Sequence, residues 1–253
     1  MADDKLAVLI DADNVPYKNV KEMLEEISRN GTPTIKRIYA DWTKPNASGW
    51  KNVLLENAIT PIQQYSYTTG KNSSDSALII DAMDILYSEK VNGFCIVSSD
   101  SDFTRLATRL REAGMNVIGF GEKKTPKPFI SACDKFIYLE ILNNTEEADS
   151  TEEPESTLAK RPVKKKNKAE PISKVDARTI KLITQSINDL GDEDGWTFLG
   201  NLGSFIIKKK PDFDPRNFGF SKLLPLIKSI GKIEIDERVT GVNNIRHIYV
   251  KVK

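Results

Sequence analysis

Histidine is nearly missing from this chain: His247 is the single one in 253 residues. One imidazole excludes His-rich metal sites and argues against a histidine-activated nucleophile. Cysteine is almost as scarce. Cys95 and Cys133 cannot build a disulfide framework, and no CxxC pair exists to hold zinc. No run approaches the ~20 apolar residues of a membrane span, and the opening MADDKLAVLIDADN has no basic leader segment or cleavage site. A soluble, cytoplasmic protein with no membrane partner is therefore expected. A dominant charge is lacking too, since 37 Lys and Arg face 36 Asp and Glu for a formal net charge of +1.

That near-zero balance hides an asymmetry. Net charge is about −2 over residues 1–144, about −1 over 145–170 and about +4 over 171–253. A slightly acidic front and a basic back suit a polyanionic substrate handled by carboxylates, although charge alone does not establish one. The length allows one or two domains, and a 39% hydrophobic content supports a core.

Over the first ~140 residues, short apolar runs alternate with helical periodicity. Leu6–Ile10 is continuously apolar, as a strand buried on both faces requires, and it stops at Asp11-Ala12-Asp13-Asn14. A helix from about Lys18 to Ser28 follows, then a strand at Thr34–Ala40, a helix at 48–59 and a strand at Thr60–Tyr65. Next come a largely apolar helix at Asp75–Tyr87, a strand at Gly93–Val97, a helix at 102–113 and a strand at Asn116–Gly119. Phe136–Tyr138 closes the series. Such alternation predicts a doubly wound, Rossmann-like α/β domain with a parallel sheet, over residues 1–144.

Residues 145–172 read as a disordered charged linker, acidic then basic, with its Lys164-Lys165-Lys166 run taken as solvated chain rather than a dedicated binding patch. A linker of this kind predicts no fixed interface between the halves. Residues 173–253 predict helices at 176–190, Trp196–Lys209 and Arg216–Ile230, then strands at Lys232–Asp236 and Arg246–Lys251. Three helices and a hairpin spell a small winged-helix α+β domain. Its aromatics, Trp196, Phe198, Phe205, Phe213, Phe218 and Phe220, are expected mostly inside.

Ligands of an open parallel sheet bind outside the carboxyl ends of its strands. Asp11 follows the first strand, Asp100 and Asp102 follow the fourth, and Asp75 opens the helix after the third. In a doubly wound order the first and fourth strands are neighbours, so these carboxylates converge. An all-oxygen set without histidine or cysteine suits Mg²⁺ or Mn²⁺, which can activate a water against a phosphodiester. Taken singly, Asp75 and Asp102 read equally well as charges at helix N-termini, and Asp13 and Asn14 as turn residues. Asp81 and Asp84 read as surface groups or as support for the ligands.

Leu9-Ile10-Asp11-Ala12-Asp13-Asn14-Val15, then Lys71…Asp75…Asp81-Ala82, then Val97-Ser98-Ser99-Asp100-Ser101-Asp102-Phe103 resemble, in order and spacing, the three motifs of NYN domains of the LabA-like group, in the PIN-like nuclease superfamily. The resemblance implies a Rossmann-like nuclease fold with a divalent metal on Asp11, Asp75, Asp100 and Asp102, Asn14 and Ser99 in support, and RNA as substrate. Serine at position 74 departs slightly, where a small apolar residue is usual. Trp196–Gly203, Pro211-Asp212-Phe213-Asp214 and Phe218–Leu224 resemble an OST-HTH/LOTUS domain, which implies RNA binding. Candidate cations for RNA are Lys71, Lys208, Lys209, Lys210, Lys222 and Arg246. The expected activity is thus a metal-dependent ribonuclease. The alternatives are a noncatalytic RNA-binding regulator and, from the Asp11-Ala12-Asp13-Asn14-Val15 stretch, an HAD-type phosphatase.

Overall fold

The computed structural model describes residues 4–43, 49–65, 73–142, 171–240 and 245–253. Strand β1 (Lys5–Asp11) is fully buried from Leu6 to Ile10. After it come α1 (Val20–Ser28), β2 (Thr32–Ala40), α2 (Trp50–Asn57), β3 (Thr60–Gln63), α3 (Ser73–Tyr87), β4 (Gly93–Val97), α4 (Thr104–Glu112), β5 (Asn116–Gly121), α5 (Lys127–Ala132) and β6 (Lys135–Tyr138). The strands make one sheet in the order β3-β2-β1-β4-β5-β6, with every pair parallel. The winding therefore reverses between β1 and β4, as the apolar runs predict. No periodicity announces α5, which is only six residues long.

Successive side chains of a strand point to opposite faces, and β1 shows this directly. Ala7 and Leu9 enter the layer containing Phe94, Phe103, Phe129 and Phe136, under α3, α4 and α5. Leu6, Val8 and Ile10 enter the opposite layer with Met23, Ile27, Trp50 and Phe120, under α1 and α2. Each large side chain so buried contributes roughly 1.5–3 kcal/mol, which makes β1 the spine of the domain.

The second domain comprises α6 (Ala177–Leu190), β7 (Thr197–Phe198), α7 (Leu199–Lys209), α8 (Leu223–Ile230), β8 (Ile233–Thr240) and β9 (Ile245–Val252), with an antiparallel sheet ordered β7-β9-β8. The Asp176 carboxylate caps α6 by accepting from the Thr179 N–H at 2.8 Å. Two sequence boundaries need correction. Trp196 does not begin a helix: the chain there is extended, because Thr197 and Phe198 pair with β9 as a third strand. The helix expected over Arg216–Ile230 is broken, with a 3-10 turn at Pro215–Phe218 ending at Gly219 in the left-handed region (φ 82°) before α8 starts. A β-carbon there would be strained. Of the aromatics, Phe213 and Phe218 are buried, whereas Trp196, Phe198, Phe205 and Phe220 are half-buried.

The two domains touch, contrary to the expectation of no fixed interface. Strand β6 is one of the sheet's two edges, and its Phe136 N–H donates to the Pro211 carbonyl at 2.8 Å. The Tyr138 hydroxyl donates to Asp212 at 2.9 Å, and the Lys123 ammonium donates to the Ile172 carbonyl at 2.9 Å. Arg216 forms a two-pronged pair with Glu26 of α1, both bonds at 2.9 Å, while also holding Asp214. The physical reason is that an edge strand and a buried acid each need a partner, and charge patterning along a sequence does not show which distant cation supplies it. The linker assigned to 145–172 lies outside the described residues up to 170. Ile172 packs against both core layers of the first domain.

The Glu26 side chain is only 7% exposed and that of Arg216 19%, so removing the cation leaves Glu26 only a 3.2 Å bond from the more exposed Arg29 and takes the side-chain partner of Asp214 as well. Arg216→Leu is expected to cost about 3–5 kcal/mol in urea denaturation. A loss below about 1 kcal/mol would place this pair with ordinary surface ion pairs.

Candidate active site

The site lies where the parallel strands end. Asp11 is the last residue of β1 and 1% exposed. Its carboxylate accepts from the Asn14 side-chain amide at 2.6 Å, the Ser98 hydroxyl at 2.8 Å and the Asp13 N–H at 3.1 Å. Loss of hydration nevertheless pushes its carboxyl above the usual range, the bonds from Asn14 and Ser98 opposing that rise.

Ser98, fully buried just past β4, does two jobs at once. It donates to Asp11 and accepts from the Asp100 N–H at 3.1 Å, tying the two strand ends together. Asp100 in turn accepts from the Asp102 N–H at 2.9 Å, which sets the turn entering α4. The Ser99 hydroxyl accepts from the Glu122 N–H at 2.8 Å, pinning the same loop to the end of β5. Behind it, a β-carbon on Gly121 would stand 2.7 Å from the Ser98 carbonyl, so only glycine lets β5 approach this closely.

Asp75 reaches the site from α3. It heads the stripe that α3 turns to the sheet, with Leu78 and Ala82 at helical spacing behind it, and is 7% exposed. Asp75, Asp100 and Asp102 can each present an oxygen so that all three atoms lie within 4.8 Å of one another. Asp11 stands outside that trio but close enough that its charge, with those of Asp100, Asp102 and Asp13, raises the Asp75 carboxyl. Burial is the larger cause, and together they push it up to about 7. A close-set group of carboxylates in which Asp11 and Asp75 resist ionisation fits a hard divalent cation, which would relieve both the repulsion and the lost hydration.

The sequence-predicted acids therefore converge. Two contributors were not singled out as part of the site. Ser98 is the link between Asp11 and Asp100; its position at the end of an apolar strand, two residues before Asp100, was the available signal. Exposed Asp13 adds charge to the cleft from the turn after β1. Asp41, just past the end of β2, accepts from the Thr43 hydroxyl at 2.6 Å and from Gln63 at 3.1 Å.

The RNA-binding candidates are more scattered. Lys71 lies outside the described residues. Lys208 and Lys209 line a cleft of about 1060 Å³ between the domains, across from Arg111 and Lys135. Lys209 is paired with Asp189 at 2.6 Å and lies 4.3 Å from the centre of the Phe205 ring. Lys210 follows the end of α7, Lys222 is exposed at the start of α8, and Arg246 is exposed on β9. Among the described residues, no helix is long and apolar enough to cross a membrane.

A doubly wound parallel sheet with an acidic cluster at its switch point, followed by a winged-helix module, defines a nuclease-like class of RNA-associated proteins. The chain belongs to the NYN domain family, whose model matches residues 5–140, and residues 170–245 match the OST-HTH/LOTUS domain. Among solved structures, it is similar to VPA0982 of Vibrio parahaemolyticus, a protein of unknown function. The identity is 20% over 53% of this chain and 91% of that one, with a TM-score of 0.45. It is also similar to the uncharacterized NE0665 protein of Nitrosomonas europaea, at 26% identity over 39% of this chain and 92% of that one, with a TM-score of 0.30. No curated protein matches it.

A carboxyl raised on folding binds more protons in the folded than in the unfolded state between its two pKa values. Asp75 therefore withdraws stability as pH climbs from about 4 to about 7. In EDTA, the advantage of Asp75→Asn over the natural protein should grow across that window in urea midpoints. An advantage independent of pH would contradict the assignment.

Proposed function

We propose that this protein is a divalent-metal-dependent ribonuclease that hydrolyses RNA phosphodiester bonds at its acidic cleft, with the C-terminal domain engaging the RNA. The observation that carries the reading is the Asp75, Asp100 and Asp102 trio beside Asp11, at the β1–β4 switch point of an NYN domain. That family membership replaces the phosphatase reading of the same first motif.

Asp75, Asp100 and Asp102 would hold Mg²⁺ or Mn²⁺, with Asp11 beside them, since an all-oxygen donor set suits hard cations. A bound ion would supply Lewis acidity toward a phosphoryl oxygen and lower the pKa of an attached water. The chain's own contribution is orientation. Asn14 and Ser98 hold Asp11, the Asp102 N–H holds Asp100, and Ser99 anchors their loop. Neither cysteine competes as a nucleophile, because burial pushes both thiols up to about 12. Lys208 and Lys209, with exposed Lys222 and Arg246, are the cations offered to RNA phosphates. Lys209 brings the least free charge because Asp189 already pairs with it.

The test is a labelled RNA pool incubated with Mn²⁺, with Mg²⁺ and with EDTA, alongside Asp100→Asn. Cleavage should require metal. It should fall by more than about 100-fold in the variant, beyond what loss of an outer partner costs a metal site, while RNA binding persists. Binding without metal-dependent cleavage by the natural protein would replace this reading with a noncatalytic regulator.

A further inference from the structure

Asp81 lies six residues beyond Asp75 on α3, on the same side of the helix as Leu78 and Ile85 and thus toward the sheet. Its two carboxylate oxygens are taken by different residues of β2: Arg37 donates to one and the Tyr39 hydroxyl to the other. Arg37 and Tyr39 alternate along β2, so both side chains rise from the same face. Tyr39 is wholly buried, and its hydroxyl needs an acceptor there. Tyr39 is also the register partner of Asp11, and its carbonyl accepts from the Ala12 N–H at 3.2 Å. One end of this cluster is therefore built on the backbone that presents Asp11, and the other on the helix that presents Asp75.

We propose that Asp81 is a positioning residue, clamping α3 to β2 at the register where Asp75 completes the acidic trio. Asp75 needs such a restraint, since its carboxylate shares a space within 4.8 Å with those of Asp100 and Asp102, and like charges so close repel. The apolar stripe of Leu78, Ala82 and Ile85 keeps α3 against the sheet, but apolar contact is non-directional and resists sliding weakly. A guanidinium and a phenol on two oxygens of one carboxylate are directional, and the charge-assisted bond is the stronger kind. The clamp sits about 9 Å along the helix from Asp75, at 1.5 Å per residue, so a small slip at Asp81 is transmitted rigidly to the site.

The metal and activity arms of the test rest on the nuclease reading; the exchange arm does not. Full-length natural protein, Tyr39→Phe, Asp81→Asn and the exposed control Asp84→Asn would be titrated with Mn²⁺ by calorimetry. Amide hydrogen exchange at residues 77–79 would be followed in EDTA. The clamp predicts Mn²⁺ binding weakened by about 10–100-fold in Tyr39→Phe and Asp81→Asn, faster exchange in the first turns of α3, and no change in Asp84→Asn. Excess Mn²⁺ should restore RNA cleavage to both clamp variants and not to Asp75→Asn. Should Asp81→Asn fail to fold, Tyr39→Phe removes a single hydroxyl and decides the matter. Mn²⁺ affinity within twofold of the natural protein with unchanged exchange overturns the clamp, whatever happens to global stability. If the natural protein binds no Mn²⁺, the nuclease reading fails and the exchange rates alone decide for or against the clamp. If it binds Mn²⁺ without cutting RNA, affinity and exchange still decide.

Discussion

Like charges crowded at one edge of a sheet are the constraint around which the first domain is arranged. Asp75, Asp100 and Asp102 come within 4.8 Å of one another with Asp11 adjoining, an arrangement that electrostatics opposes and that the apolar core must sustain. The fully buried run of β1 and the aromatic layer of Phe94, Phe103, Phe129 and Phe136 supply stability that does not depend on the site. Hydrogen bonds then dictate where each carboxylate points. Asp11 receives three, Asp100 closes a turn onto Asp102, and Ser98 connects the pair. The carboxylates that would carry chemistry are thus anchored from behind by groups that would not.

The second domain follows a different economy. It has its own core of Ile183, Leu202, Ile206 and Leu226, yet it also covers the β6 edge of the first domain's sheet. Arg216 is the hinge of that arrangement, satisfying Asp214 within its domain and Glu26 across the interface. A cation at the head of the third helical segment would be an obvious phosphate contact in an isolated winged helix. Here it is largely buried in an ion pair, and the cleft between the domains is lined instead by Lys208 and Lys209 from one side and Arg111 and Lys135 from the other.

Much of this was legible beforehand because its causes are local. Continuous apolar runs marked β1 and β4, helical periodicity marked α1, α3 and α6, and the rule that ligands gather at strand carboxyl ends brought Asp11, Asp75, Asp100 and Asp102 together. Errors arose where a distant strand or a backbone angle overrode local preference. Trp196–Phe198 is extended because β9 offers Thr197 and Phe198 hydrogen bonds, and the expected helix from Arg216 breaks at Gly219, whose φ of 82° no helix accommodates.

By itself the sequence determined most of the element types, the family-like motifs and the kind of donor available to a cation, since each depends on residue chemistry and short spacing. Tertiary structure alone decided the rest: that Ser98 bridges Asp11 to Asp100, that Asp81 meets Arg37 and Tyr39 across more than 40 positions, and that Arg216 crosses 190 positions to reach Glu26. The reason is physical. A carboxylate or guanidinium on a helix can pair with any complementary group the fold brings near, and only the packed arrangement of helices on the sheet chooses among them.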